Sequence, residues 1–273
     1  MTGHGPPILV WRALLLLENS MKVDSPAKSL VIGTVSLFLF ITAWELFCRL
    51  GFIEPLFMPA PSKILARAIK MIDNGQLIAH TLSSTRRVMV GFSVSSLVAI
   101  PFGIFLGSSR FFMAVFDPLI SLLRPLPSMS WIPLSLLWLG ITETQKYSIV
   151  FMGSFAPSLL YIIEATKSID PLLIRAAKNL GASKLDVMRE VILPGALPQI
   201  IAGLKVMLGI AWTCIISAEL VAAREGLGFM IMNGKEYFQT DTVLLGMVMI
   251  SVTVMIIDVV FRKVEKRLLP WTR

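Results

Sequence analysis

The sequence predicts an all-α, polytopic membrane protein of about six transmembrane helices, with one polar helical loop between the fourth and fifth. Three observations carry this. Of 273 residues, 55% are hydrophobic and only 15% charged, and the mean hydropathy is +0.78, well outside the balance of water-soluble domains. The apolar residues come in uninterrupted runs near 20 residues long, which matches the hydrocarbon thickness of a bilayer. And one segment, "RAAKNLGASKLDVMREVILP" at 175–194, gathers Arg175, Lys178, Lys184, Asp186, Arg189 and Glu190 between two such runs.

Residues 1–27 read as a cytoplasmic tail, because "WRALLLLENS" is too short to span and lacks the basic region and small-residue cleavage site of a signal peptide. The first run, 29–48, carries only Glu45, and the second, 88–107, carries no charge. Gly103 and Gly107 in the second permit close helix approach. The third, 111–140, holds Asp117 and Arg124 with Pro118, Pro125, Pro127 and Pro133, so a broken span is expected. Spans at 146–164, 197–222 and 242–261 complete the count. The fifth contains Lys205 and Glu219.

Orientation follows from the basic residues of the loops. The 165–196 loop holds Lys167, Arg175, Lys178, Lys184 and Arg189, and the C-terminal segment holds Arg262, Lys263, Lys266, Arg267 and Arg273. Both are expected on the cytoplasmic side with the two termini. The 51–87 segment, expected outside, runs against this rule with Lys63, Arg67, Lys70, Arg86 and Arg87.

Several chemistries are excluded by what the chain lacks. No basic stretch alternates with aromatics, so the net charge of +8 does not indicate a nucleic-acid partner. Cys48 and Cys214 lie inside apolar runs and His4 and His80 have no companions at ligand spacing, so neither a disulfide framework nor a metal site is expected. "GLGFMIMNGKE" has the wrong glycine spacing for a phosphate loop, and Glu236 follows Lys235 where Ser or Thr is required. There is no catalytic constellation for a membrane enzyme. A secondary transporter would need internal repeats and a polar midplane ion site, neither of which is visible.

The polar loop has its own logic. Asp170 is a good N-cap, Pro171 suits the first helical position, and Leu173, Ala176, Ala177 and Leu180 share one face of a short helix over 171–180. Gly181 can end it in a left-handed turn. Ser183 and Asp186 then form a capping box that opens a second short helix through Val191, closed by Pro194.

This segment resembles the cytoplasmic EAA loop of binding-protein-dependent ABC importer permeases. Ala176, Ala177, Gly181, Val191, Leu193 and Pro194 fall in register with that pattern, and Arg175 departs from its Glu. The resemblance covers roughly residues 30–271 through "MPAPSKIL", "RPLPSMSWIPLSLLWLGITETQK", "SAELVAAREGLGFMI" and "KRLLPW". It is strongest to taurine and aliphatic-sulfonate permeases of the nitrate/sulfonate/bicarbonate group. It implies an ATP-driven importer in the bacterial inner membrane, with two copies of this chain, two ATPase subunits binding ATP and Mg, and a periplasmic solute-binding protein. This chain itself would bind no cofactor and hydrolyse nothing. Taurine or an alkanesulfonate is the favoured solute; nitrate, bicarbonate, a pyrimidine or an aromatic acid fits the same architecture.

On that resemblance the ATPase contact would comprise Leu173, Ala176, Ala177, Leu180, Gly181, Ala182, Leu185, Met188, Leu193 and Pro194. Ionisable residues within spans are costly and point to function. Arg124, alone in a proline-broken span, is a candidate partner for an anion. Glu219, near the outer end of its span, is a candidate gate that would order the turn at Gly226 and Gly228. Glu45 with Arg49 and Asp258 with Arg262 are expected as local i,i+4 pairs, and Lys205 is expected to snorkel to the interface.

Overall fold

The computed structural model describes residues 26–52, 54 and 56–270; most of the predicted 1–27 tail, and Arg273 of the basic C-terminal segment, lie outside them. The described residues divide into two units, 1–62 and 63–273.

The first unit contains α1 (Pro26–Arg49). Its side chains from Val31 to Ile41 are exposed, as expected of a helix whose solvent is lipid. Near its end Glu45 accepts from Arg49 at 2.7 Å, the expected i,i+4 pair, and from the backbone N–H of Ser62 at 3.0 Å.

The second unit follows α2 (Pro61–Asp73) with α3 (Gln76–Ser108), α4 (Arg110–Leu123), α5 (Trp131–Leu139), α6 (Glu143–Lys167), α7 (Pro171–Asn179), α8 (Lys184–Ala222), α9 (Leu227–Glu236) and α10 (Thr240–Leu268). Among the described residues five helices are long and apolar enough to cross a membrane, and α4 with α5 makes a sixth candidate bent by 79°. The break follows from its prolines: Pro125 and Pro127 cannot donate the backbone hydrogen bonds that would carry the helix on.

α3 and α6 run parallel and set the core. Small residues recur every fourth position on α3, at Gly91, Ser95, Ala99, Gly103 and Gly107. A β-carbon on Gly91, Gly103 or Gly107 would come within 2.6 Å of Val150, Ile162 or Thr166 respectively, a constant offset along both helices. Such a stripe lets two backbones approach where lipid supplies no hydrophobic drive. α8 packs antiparallel to α6; a β-carbon on Gly153 would overlap the Cys214 sulfur, and one on Gly203 would meet Tyr161 at 2.9 Å.

Four expectations are corrected. α3 starts at Gln76, so part of the 51–87 loop is helix, and α2 adds a short amphipathic helix with Ile64 and Met71 buried. Three of that segment's five cations are engaged: Arg67 with Thr242 at 2.9 Å, and Arg86 and Arg87 with Glu143. A charge already paired inside the fold does not report on topology as a free loop charge does. The second short helix of the polar loop does not stop before Pro194. It runs on into α8 through one π turn, Val187–Ile192, whose widened geometry contains the carbonyl of Glu190 that the Pro194 ring would otherwise strike. The loop expected at 223–241 contains α9. Lys205 does not snorkel but pairs with Glu265 of α10 at 3.0 Å.

Candidate functional site: two polar ends of one bundle

α6 spans 25 residues, about 37 Å at a regular helical rise, and its two ends meet the chain's two polar regions. At its N-terminal end lies a buried ion cluster. The Arg87 guanidinium donates to both oxygens of Glu143 at 2.7 and 2.8 Å, to Glu219 at 2.8 Å and to the Glu225 carbonyl at 2.6 Å. Glu143 also pairs with Lys146 at 3.0 Å and Arg86 at 3.3 Å. Arg87 is 1% exposed and the Glu219 side chain 0%.

The Glu219 carboxylate, besides its bond to Arg87, accepts from the Ser84 hydroxyl at 2.8 Å and the Gly228 N–H at 2.9 Å. Ser84 in turn accepts from the Leu227 N–H at 2.8 Å, and His80 Nδ1 accepts from the Gly226 N–H at 3.1 Å. The turn into α9 is thus held by side chains of α3 and α8. Gly226 sits at φ +125°, and a β-carbon there would fall onto the Glu219 carboxyl. Only glycine fits such a backbone beside such a neighbour. The structure therefore brings Glu219, Gly226 and Gly228 together, and adds Arg87, which sequence reasoning assigned to a loop. Arg87 lies one residue before an uncharged run, and the run's helical phase extended backwards would have placed it on the α6-facing side.

Arg124 lies apart from this cluster. It caps α4 at the bend, about 21 Å along that helix from its start, and is exposed. Its side chain has no hydrogen-bond or ion-pair partner among the described residues.

At the other end of α6 lies the polar loop. The Asp170 carboxylate caps α7 by accepting from the Leu172 N–H at 2.8 Å. α7 closes with Ala182 N–H to the Ala177 carbonyl at 3.1 Å and Gly181 N–H to the Lys178 carbonyl at 3.0 Å, the two bonds of a Schellman turn, with Gly181 at φ +87°. Ser183 and Asp186 form the reciprocal capping box. The result is an apolar surface left uncovered among the described residues: Leu180 is 89% exposed and Leu172 68%, with Leu173, Leu185 and Leu193 also exposed. Ala176 and Gly181 are exposed as well. Ala177, Ala182, Met188 and Pro194 are instead half-buried, with Met188 accepting from the Ser108 hydroxyl at 3.6 Å. The expected contact set omitted Leu172, which the i, i+3, i+4 count from Leu173 passes over.

The described residues thus form a bundle of candidate membrane-spanning helices with a capped, apolar hairpin at one end. Residues 99–270 match the family model of the binding-protein-dependent transport system inner membrane component, and the chain belongs to that family. It is 37% identical to the taurine transport system permease protein TauC of Escherichia coli strain K12 over 248 residues, covering 89% of this chain and 90% of that protein. It is 31% identical to the putative aliphatic sulfonates transport permease protein SsuC of Bacillus subtilis strain 168, covering 85% and 84%. The fold is similar to an inward-facing form of the MetNI methionine ABC transporter, with TM-score 0.62 and 18% identity over 71% of this chain and 96% of that one. The chain is thus a membrane-spanning permease subunit of an ABC importer, within the group that includes sulfonate and nitrate permeases.

Proposed function

We propose that this permease imports a small sulfonate, with taurine the first candidate, as a homodimer joined to two ATPase subunits that carry ATP and Mg, and fed by a periplasmic solute-binding protein. Both termini and the α7–α8 hairpin face the cytoplasm, and the Arg87–Glu219 cluster faces the periplasm. The observation that carries the coupling half of this reading is the exposed row Leu172, Leu173, Leu180 and Leu185 on a hairpin whose own polar groups are already capped. Apolar side chains of that kind on a rigid, polar-rimmed element suit a groove on a partner protein. ATPase closure would then move the hairpin and α8 as one body.

The substrate half rests on similarity to the taurine and sulfonate permeases and on Arg124. A free guanidinium at mid-depth in a bent span suits an anion, since charge-assisted bonds in a dry pathway are strong. A nitrate permease of Synechocystis, 25% identical over 260 residues, supports a second reading in which nitrate takes this place. Proteoliposomes carrying the complete complex separate the two: ATP-driven taurine uptake outpacing nitrate uptake supports the first, and the reverse order supports the second. In the same assay Arg124→Ala slows uptake of the anion about tenfold or more, as expected for loss of a charged hydrogen bond, while basal ATP hydrolysis is kept. Uptake equal to wild type removes Arg124 from the pathway.

A further inference from the structure

Between the polar loop and the membrane end of the bundle lies an open cavity of about 1170 Å³. It is bounded by the end of α3, the start of α4, the end of α6, α7 and the start of α8. Four cations line it: Arg110, Lys167, Lys178 and Lys184. Asp117 is the one acid in the lining. None of the four cations has an ion-pair partner among the described residues, in contrast to Arg86, Arg87, Lys146, Lys205 and Arg262, which all do. Of the loop's three acids, Asp170 caps α7 and Asp186 is boxed with Ser183, while Glu190 is exposed and forms no ion pair with any of the four.

The rest of the wall is mostly apolar, with Phe105, Met113, Ile174, Val187, Met188 and Ile192 beside the hydroxyls of Ser108, Ser109 and Thr166. Phe105 is 43% exposed, and the adjoining α4 turns Phe111, Val115, Leu119 and Leu122 outward. The cavity therefore joins a basic pocket to a greasy helix face at the level where four candidate spans begin or end.

We propose that this cavity binds the phosphate of an anionic phospholipid of the cytoplasmic leaflet, its acyl chains lying along α4. The assignment of the leaflet rests on the orientation proposed above. Unpaired cations between helices at the cytoplasmic interface are the chemistry that recognises such headgroups, and the phosphate oxygens would accept from Arg110 and the three lysines. Inorganic phosphate offers the same oxygens, but has no use for the apolar wall. The bound lipid would tie α7 and α8 to the ends of α3 and α4, beside the surface assigned to the ATPase.

The full-length permease, purified from nanodiscs of equimolar phosphatidylglycerol and phosphatidylethanolamine, is read by native mass spectrometry for phosphatidylglycerol retained per chain. Arg110→Gln with Lys167→Gln lowers retention about fivefold for each cation removed. The control Lys263→Gln with Lys266→Gln, with the same charge loss on α10, keeps it. Arg110→Lys restores most of the loss when placed back on the Lys167-intact chain. Equal retention by the first variant and wild type, or equal loss in the control, overturns the proposal. Calorimetric binding of inorganic phosphate in phosphatidylethanolamine-only nanodiscs, removed by the same two substitutions, reassigns the cavity to a soluble anion and also overturns it. ATPase co-purification from the same samples reports on the coupling reading alone, because the exposed leucine row is untouched in these variants.

Discussion

The two ends of α6 treat polar groups in opposite ways. At the Arg87 end, Arg86, Arg87 and Lys146 meet Glu143, Glu219 and Glu225, and the central pair is sealed from solvent. At the α7 end the acids cap their own helices and the leucines are left outside. The first arrangement holds three helices and a turn in one geometry and leaves little for another molecule to bind. The second leaves an apolar surface that no other described residue of the chain covers. Buried charge marks where the fold is closed, and the capped hairpin with its exposed leucines is where the proposed partner would complete it.

Disturbing the closed end should have the largest effect on the fold. Arg87→Met leaves Glu219 buried without its cation, and removing one partner of a buried pair costs about 3–5 kcal/mol. The detergent-solubilised variant should unfold at a markedly lower temperature and yield less folded protein. Glu219→Gln should cost less, since an amide oxygen can still accept from Gly228 and Ser84. A wild-type unfolding midpoint for Arg87→Met would mean that the cluster is incidental to the fold.

Much of this architecture was legible because lipid imposes simple rules. Spans 29–48, 146–164 and 242–261 are free of charge except at their ends or, for 29–48, at Glu45, and a helix is the way such a run satisfies its backbone. The hairpin was legible for a different reason: Asp170, Pro171, Gly181, Ser183 and Asp186 act on neighbours within five residues, so their geometry is local. What stayed hidden was non-local. Arg87 reads as a loop charge until Glu143, 56 residues away, and Glu219, 132 residues away, are brought to it. The continuation of helix through Pro194 depends on a π turn in which Val187 and Ile192 are buried. The basic cavity is likewise assembled from α3, α4, α6 and the hairpin, no one of which carries more than two of its four cations.

At the open end the effect on stability shrinks while the effect on partners grows. Gly181 has φ +87° but no neighbour within 4 Å of where a β-carbon would stand. The cost of Gly181→Asp inside this chain is therefore the left-handed backbone alone, about 1–2 kcal/mol. The variant should insert and dimerise, yet lose ATP-driven uptake and bind its ATPase poorly, because the Schellman turn sets the angle between α7 and α8. Wild-type uptake together with wild-type co-purification would reduce the hairpin to a surface connection.

The smallest effect on the fold is expected at Leu180, and it isolates the partner surface most cleanly. The side chain is 89% exposed and lies after the last residue of α7, so Leu180→Asp removes little packing and meets no special backbone requirement. Substitutions at such positions usually fall within about ±0.5 kcal/mol, and the unfolding midpoint should not move. A leucine that enters a groove on another protein is a different matter, since an aspartate there must be desolvated without a counter-charge. Co-purification of the ATPase should then fall well below that of Leu180→Met, which keeps the apolar volume. The contrast with Arg87→Met is the test of the whole comparison: one substitution should lower the melting temperature of the isolated permease, and the other should leave it intact while the complex comes apart. If Leu180→Asp retained the ATPase as fully as Leu180→Met, the leucine row would face lipid headgroups or solvent rather than a protein, and the coupling surface would have to lie elsewhere on the loop.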